Sequence, residues 1–294
     1  MNMTQNLQGK LEHNVSLADY TSWHVGGVAE RFYRPAGIED LAAFLSTLQV
    51  SEPITWLGLG SNVLIRDIGL KGTVIHTQGN LVGLEQPEPL IIRAEAGVAC
   101  GQLARHTARL NLSGLEFMAG IPGSVGGALA MNAGCHGGET WQWVTAVETI
   151  DRTGQIRLRA VNDFNVGYRF VERAADEWFV AGYFLLKAGD KQICLQKIRE
   201  LLDYRAATQP TNEPNCGSVF RNPPGNYAAR LIEQSGLKGV QVGGAQVSEK
   251  HANFIVNTGT ATAKDIESLI QLVQSEVLAK QHITLIQEVH FLGM

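Results

Sequence analysis

Apolar residues recur along the chain with one of two periods, and each change of period marks an element. Ile38, Leu41, Leu45 and Leu48 stand three and four residues apart, which predicts an amphipathic helix over 38–49. Short apolar runs at 54–59 and 63–66 predict two strands joined by the tight loop Gly58-Leu59-Gly60-Ser61-Asn62. Further strands are expected at 73–76 and 90–96, the latter with Leu90, Ile92, Ala94 and Ala96 on one face. A helix over 100–110 ends at Asn111, and strands follow at 141–151, 155–160 and 178–187.

Cys194, Ile198, Leu201 and Leu202 mark a helix over 191–205, and the Pro- and Asn-rich stretch 208–215 reads as a hinge between ligand-binding halves. A helix over 227–235 is closed by Gly236, and 243–257 gives a loop and a strand. Thr262 and Asp265 form a capping box for a long helix with Ile266, Leu269, Ile270, Val273 and Val277 as its buried stripe. A last strand over 283–292 puts Glu288 on the face opposite Leu285, Val289 and Phe291. The fold class is α+β, with one domain over 1–187, made of subdomains over about 15–85 and 86–187, and a second over 188–294. The polar leader before residue 20 reads as loose.

One stretch breaks both periods. Residues 119–134, AGIPGSVGGALAMNAG, hold Gly120, Gly123, Gly126, Gly127 and Gly134 and no charge, with Ile121, Val125, Ala128, Leu129 and Met131 as fillers. Glycines admit close approach of backbone to a ligand, while apolar fillers keep the segment inside. Successive N–H groups with Ser124 beside them make an anion-binding concavity, a buried phosphate cradle. The alternative is a glycine-rich turn between two core elements. The loop at 58–62 is a second such candidate. It lacks a third glycine and a following helix, so it is not a dinucleotide fingerprint.

Composition narrows the partners. The chain has 294 residues, 45% hydrophobic and 18% charged, with a net charge of −4. With a pI near 6.1 and no basic run, nucleic acid is not expected, so an anionic ligand must be held by local groups. Cys100, Cys135, Cys194 and Cys216 are scattered, which suits free thiols in a reducing compartment and neither a disulfide frame nor a metal site. No signal peptide and no apolar run near 18 residues is seen, so a cytoplasmic protein without membrane insertion is expected. A monomer is expected. His24 reads as a structural hydrogen-bonding residue, and Cys216 as a structural thiol, since no motif supplies it with a base.

Several of these loops, in order, resemble the UDP-N-acetylenolpyruvoylglucosamine reductases of peptidoglycan precursor synthesis. The matching stretches are TSWHVGG (21–27), LGLGSNVLIRD (57–67), GLEFMAGIPGSVGGALAMNAG (114–134), GYR (167–169), GSVFRNP (217–223), LIEQSGLKG (231–239) and GGAQVSEKHANFIVN (243–257). The length is similar to the family's shorter subtype. The resemblance implies the two-subdomain FAD-binding fold of the vanillyl-alcohol-oxidase/PCMH type, followed by an α+β substrate-binding domain. It implies non-covalent FAD held by Gly58, Gly60, Ser61, Asn62 and Val63 and by Gly120, Pro122, Gly123, Ser124, Gly126, Gly127, Ala128 and Gly134, with NADPH as co-substrate and a UDP-sugar as substrate.

The implied reaction is reduction of the enolpyruvyl ether to a lactyl ether. Hydride reaches C3, charge moves onto the carboxylate as an enediolate, and a proton is delivered to C2. Arg169 matches the family arginine that stabilises this charge, Ser218 the proton donor, and Glu288 a carboxylate that orients and stabilises. Tyr168, Asn222 and Lys238 are candidate substrate contacts. Arg221 stands where the family commonly has Lys, which alters reach and geometry. The competing readings are another FAD oxidoreductase of the same superfamily and a non-enzymatic nucleotide-binding module.

Overall fold

The structure is a computed structural model and describes residues 7–293. Its largest sheet is antiparallel, in the order Ile156–Ala160, Val144–Asp151, Glu177–Leu185, Ile91–Glu95 and Leu84–Glu88. A four-stranded sheet runs Lys10–Ser16, Val28–Arg34, Leu70–His76, Ile54–Leu57, the last two parallel with Leu57 opposite His76. A three-stranded sheet of Gln241–Val242, Ala245–Val247 and Ile255–Asn257 lies in the C-terminal part.

By its contacts the chain forms two compact units that are not consecutive stretches. The first takes the chain up to His13, Arg31–Leu59 and Gly72–Asp203; the second takes Asn14–Glu30, Gly60–Lys71 and the chain from Tyr204 on. This differs from a division at residue 187, and the second unit's core shows why. Trp23 and Leu64 are fully buried there among Leu231, Ile255, Ile270 and Leu285, and the Trp23 indole N–H donates to the Ile255 carbonyl at 2.7 Å. Asn257 returns a bond to the Trp23 carbonyl at 2.8 Å. A large aromatic with its one donor satisfied is fixed to the core that buries it, wherever it lies in sequence.

The first unit has two apolar clusters. One gathers Ile92, Leu103, Met118, Val125, Leu129, Trp141 and Phe184 around the large sheet, and the other gathers Tyr33, Leu41, Phe44, Ile75 and Val180 under the helix Ile38–Ser46. In the second unit, the helix Ala263–Gln281 buries the expected stripe and starts in the expected capping box, with Asp265 N–H donating to Thr262 Oγ1 at 3.1 Å. Arg66 and Asp67 also hold it: the guanidinium pairs bidentately with Glu267 at 2.8 and 2.9 Å, and the Asp67 carboxylate accepts from the N–H groups of Ala263 and Lys264.

The strands Val28–Arg34 and Leu84–Glu88 were not expected, and three further elements depart from the expected pattern. The polar leader contains the strand Lys10–Ser16, which has no buried residue, so no alternation betrays it. Half of the glycine stretch is the helix Val125–Met131, whose Gly126 and Gly127 disguise it because glycine disfavours helix interiors. The terminal strand is shorter, His290–Leu292, and pairs in parallel with Val63–Ile65; before it the chain makes one isolated bridge, Gln287 to Phe220. Leu285 and Val289 are nonetheless buried while Glu288 is half-buried.

Candidate active site

In the first unit the glycine stretch descends from a 3-10 turn, Glu116–Gly120, into the helix Val125–Met131. Several of its N–H groups are committed within the protein. Gly123 donates to Ile121, Val125 to Val98 at 2.8 Å, and Gly126 to Ala96 at 2.9 Å. The concavity is therefore not lined by a run of free N–H groups, as the sequence suggested, and its distinctive polar atom is a side chain. Ser124 is 1% exposed, and its hydroxyl has no hydrogen-bond partner in the protein. Directly against it lies Gly58, where a Cβ would come 2.4 Å from Ser124 Oγ. Pro122 and Gly127 are exposed, Ala128 is buried, and Gly120 is packed by Cys135 and His136.

An orphaned buried hydroxyl beside a glycine that admits no side chain is the arrangement a phosphate oxygen completes, since an unpaired buried polar group costs free energy until a ligand satisfies it. The residues present fit the pyrophosphate of FAD.

The same stretch ends on Gly134, whose carbonyl accepts from Arg169 Nη2 at 2.7 Å; Nη1 donates to Asn132 O at 3.4 Å. Arg169 is half-buried, sits over the Tyr168 ring at 4.9 Å, and has φ of 55°, a left-handed conformation uncommon for a long side chain. Two strands, Val166–Gly167 and Phe170–Val171, make the hairpin that presents it. Tyr168 is 49% exposed and thus open to a ligand.

The second unit assembles the other candidates around the chain's last residues. Gly60 has φ of 69°, and a Cβ there would meet the Tyr20 carbonyl oxygen. Asn62 Nδ2 donates to the Glu288 carbonyl at 3.3 Å, and His290 N–H to Asn62 O at 3.0 Å. Glu288 N–H donates to Val219 O at 2.7 Å, and Arg221 N–H to Ile286 O at 2.8 Å. The terminal segment therefore lies between the Gly60–Val63 loop and the loop carrying Ser218, with Ser61 and Ser218 both half-buried.

Cys216 supports this frame from below. Its thiol lies 3.5 Å from Val63 O, and burial pushes its pKa up to about 12, so it is a structural group and no nucleophile. Asn222 Oδ1 accepts from Ala228 N–H at 3.0 Å and so starts the helix Ala228–Gln234, while Lys238 pairs with Glu233 at 3.3 Å.

Sequence reading passed over two asparagines that hold these loops. Asn253 Oδ1 accepts from Phe220 N–H at 3.0 Å and its Nδ2 donates to Phe220 O at 2.8 Å, while its own carbonyl accepts from Val219 N–H. Asn132 does comparable work beside Arg169. The available signal was a lone amide inside an apolar run, Ala252-Asn253-Phe254-Ile255 and Ala130-Met131-Asn132-Ala133, because a buried amide must find partners. Among the described residues no group of His, Cys, Asp and Glu could hold a metal ion, and no helix is long and apolar enough to cross a membrane.

This is the FAD-binding fold of the PCMH type, followed by an α+β domain. An FAD binding domain model matches residues 29–158, and a model of the UDP-N-acetylenolpyruvoylglucosamine reductase C-terminal domain matches 209–292. A solved 6-hydroxy-D-nicotine oxidase from Arthrobacter nicotinovorans shares the fold alone, with a TM-score of 0.55 at 12% identity over 97% of this chain and 89% of that one. The UDP-N-acetylenolpyruvoylglucosamine reductase of Legionella pneumophila strain Corby is 61% identical over 287 residues, 97% of this chain and 93% of that protein. The crystal structure of the Thermus caldophilus reductase superposes with a TM-score of 0.85 at 34% identity, over 97% of this chain and all of that one. The chain belongs to the UDP-N-acetylenolpyruvoylglucosamine reductase family.

Proposed function

We propose that Arg169, Ser218 and Glu288 carry the reaction of this family in this chain: reduction of the enolpyruvyl group of UDP-N-acetylglucosamine enolpyruvate to lactate, giving UDP-N-acetylmuramate for peptidoglycan synthesis. FAD, reduced by NADPH, supplies the hydride for C3 of the enolpyruvyl group. Gly58 and Ser124 would hold its pyrophosphate. The Arg169 guanidinium grips the substrate carboxylate and stabilises the charge that hydride addition pushes onto it; a planar fork offers two parallel bonds to that carboxylate. Ser218 delivers a proton to C2, where the enediolate carbon is basic enough to take it from an alcohol. Glu288 orients the carboxylate end of the substrate, Tyr168, Asn222 and Lys238 contact the rest of it, and the enzyme works as a cytoplasmic monomer.

The observation that carries this reading is the terminal segment, which bonds to Asn62 on one side and to Val219 on the other. It fixes Glu288, the Ser218 loop and the Gly60–Val63 loop in a single frame. The test is a half-reaction experiment with the purified holoenzyme: NADPH should bleach the flavin, and the enolpyruvyl UDP-sugar should restore its colour. A flavin reduced by NADPH and reoxidised by an alcohol's carbonyl product, but not by the UDP-sugar, would favour another oxidoreductase of the superfamily.

A further inference from the structure

Asn132 stands where three segments of the first unit meet. It caps the helix Val125–Met131 at its C-terminus, with φ of 43° and ψ of 52°, and is 2% exposed. Its Oδ1 accepts from Trp141 N–H at 3.1 Å, and its Nδ2 donates to Glu139 Oε2 and to Gly167 O, both at 3.0 Å. Its backbone carbonyl accepts from Arg169 Nη1 at 3.4 Å. One residue thus holds the Arg169 hairpin at two points, at the carbonyl of Gly167 and at the guanidinium itself.

We propose that Asn132 is the positioning residue for Arg169. It carries the fixed geometry of the cradle helix across to the guanidinium and so sets where the substrate carboxylate is received; the inference rests on the role given above to Arg169. Three physical requirements meet at this position. The left-handed backbone favours Asn or Gly over other residues. The bonds made need one acceptor and two donors on one short side chain, which only an amide supplies. Arg169 itself has φ of 55°, a conformation that a long side chain keeps only when its surroundings impose it. The bonds from Arg169 to the carbonyls of Asn132 and Gly134, with the Asn132 amide on Gly167, impose it.

Asn132→Gly tests this, because glycine keeps the left-handed backbone and the carbonyl while deleting the amide. In the FAD-loaded variant, flavin reduction by NADPH should stay within about twofold of wild type. Reoxidation by UDP-N-acetylglucosamine enolpyruvate should slow by roughly 10–10²-fold, the usual cost of a misplaced group at a reacting centre. Asn132→Ser, which removes the amide without setting a second carboxylate against Glu139, should show the same split should the glycine variant fold poorly. On an Arg169→Ala background Asn132→Gly should add no more than about twofold, since a residue acting through another has nothing left to act on.

An undiminished effect of Asn132→Gly on that background, or equal slowing of both half-reactions, would overturn the proposal and make Asn132 a general structural residue. Wild-type reoxidation by Asn132→Gly beside slow reoxidation by Arg169→Ala would overturn it alone. Wild-type reoxidation by Arg169→Ala would remove the role of Arg169 first, and this inference with it.

Discussion

Gly58 and Ser124 lie so close that a single carbon added to Gly58 would sit 2.4 Å from the Ser124 hydroxyl oxygen. The contact joins the loop after Ile54–Leu57 to the start of the cradle helix, and it leaves a buried hydroxyl whose partner must come from outside the protein. Gly58→Ala should therefore displace the hydroxyl and weaken FAD binding by about 10–100-fold, as for loss of a hydrogen bond to a charged group. Ser124→Ala should weaken it comparably without the steric fault. Flavin fluorescence titration measures both, and wild-type affinity in Ser124→Ala would show that the hydroxyl is no ligand.

Arg169→Lys separates charge from shape. Lys keeps the cation and loses the planar fork, with the two carbonyl contacts that aim it. Reoxidation by the enolpyruvyl substrate should fall by roughly 10²–10³, the cost of a lost transition-state charge contact. NADPH should reduce the flavin at a near-normal rate. Equal loss in both half-reactions would assign Arg169 to the flavin site or the fold.

His76 ends the strand beside Leu57, is 8% exposed, and stacks on Phe32 with ring centroids 5.3 Å apart. Burial, and then the positive charge of Arg34, push its pKa down to about 4. The fold thus favours neutral His76: its contribution is fully present above the ordinary value near 6.5 and is lost as pH falls from there towards 4. The loss should reach about 3 kcal/mol, at 1.36 kcal/mol per pKa unit. Denaturant titrations between pH 7.5 and 4.5 should show the slope, and His76→Gln should flatten it. The same slope in both proteins would assign the loss to other groups.

What the sequence shows and what it hides follow from how each feature is encoded. The helix Ala263–Gln281 was fully legible because cap, stripe and length are all local. So was the glycine content of residues 119–134 among uncharged fillers, a composition signal that reads directly from the chain. The helix inside that stretch was hidden by its own glycines. The attachment of Trp23 to Ile255 spans 232 residues and leaves no local trace. Motif order names Arg169 and Ser218 as candidates but not the amides that brace their loops, because the groups that Asn132 and Asn253 bond lie far away in sequence.

Asn253 offers a direct measure of that support. Truncation to Ala would leave the N–H and carbonyl of buried Phe220 without these partners, at about 1–3 kcal/mol for each. Asn253→Ala should therefore lower stability in urea by about 2–5 kcal/mol. Asn253→Asp keeps the acceptor for the N–H but turns an oxygen towards the Phe220 carbonyl, so it should be no better. In flavin-loaded protein either change should slow reoxidation more than reduction. Unchanged stability in both variants would mean that the Ser218 loop is held by its backbone pairing alone.

Ser218 has one proposed task, and it falls late: a proton for C2 after hydride has reached C3. Its backbone is held on both sides, by Asn215, which accepts from Gly217 N–H at 2.9 Å, and by Val219, bonded to Asn253 and Glu288. A hydroxyl on so fixed a loop can be removed without moving its neighbours. Ser218→Ala should bind FAD and accept reducing equivalents from NADPH normally. Reoxidation by the enolpyruvyl substrate should then fall by at least about 10²–10⁴, the worth of a positioned acid. Ser218→Cys should recover part of the rate, because a thiol is the stronger acid at similar placement. Isotopes give an independent reading: 4-deuterated NADPH should label C3 of the wild-type product, and deuterated water should label C2. Wild-type reoxidation in Ser218→Ala would strip Ser218 of the role and pass it to Glu288 or to a bound water.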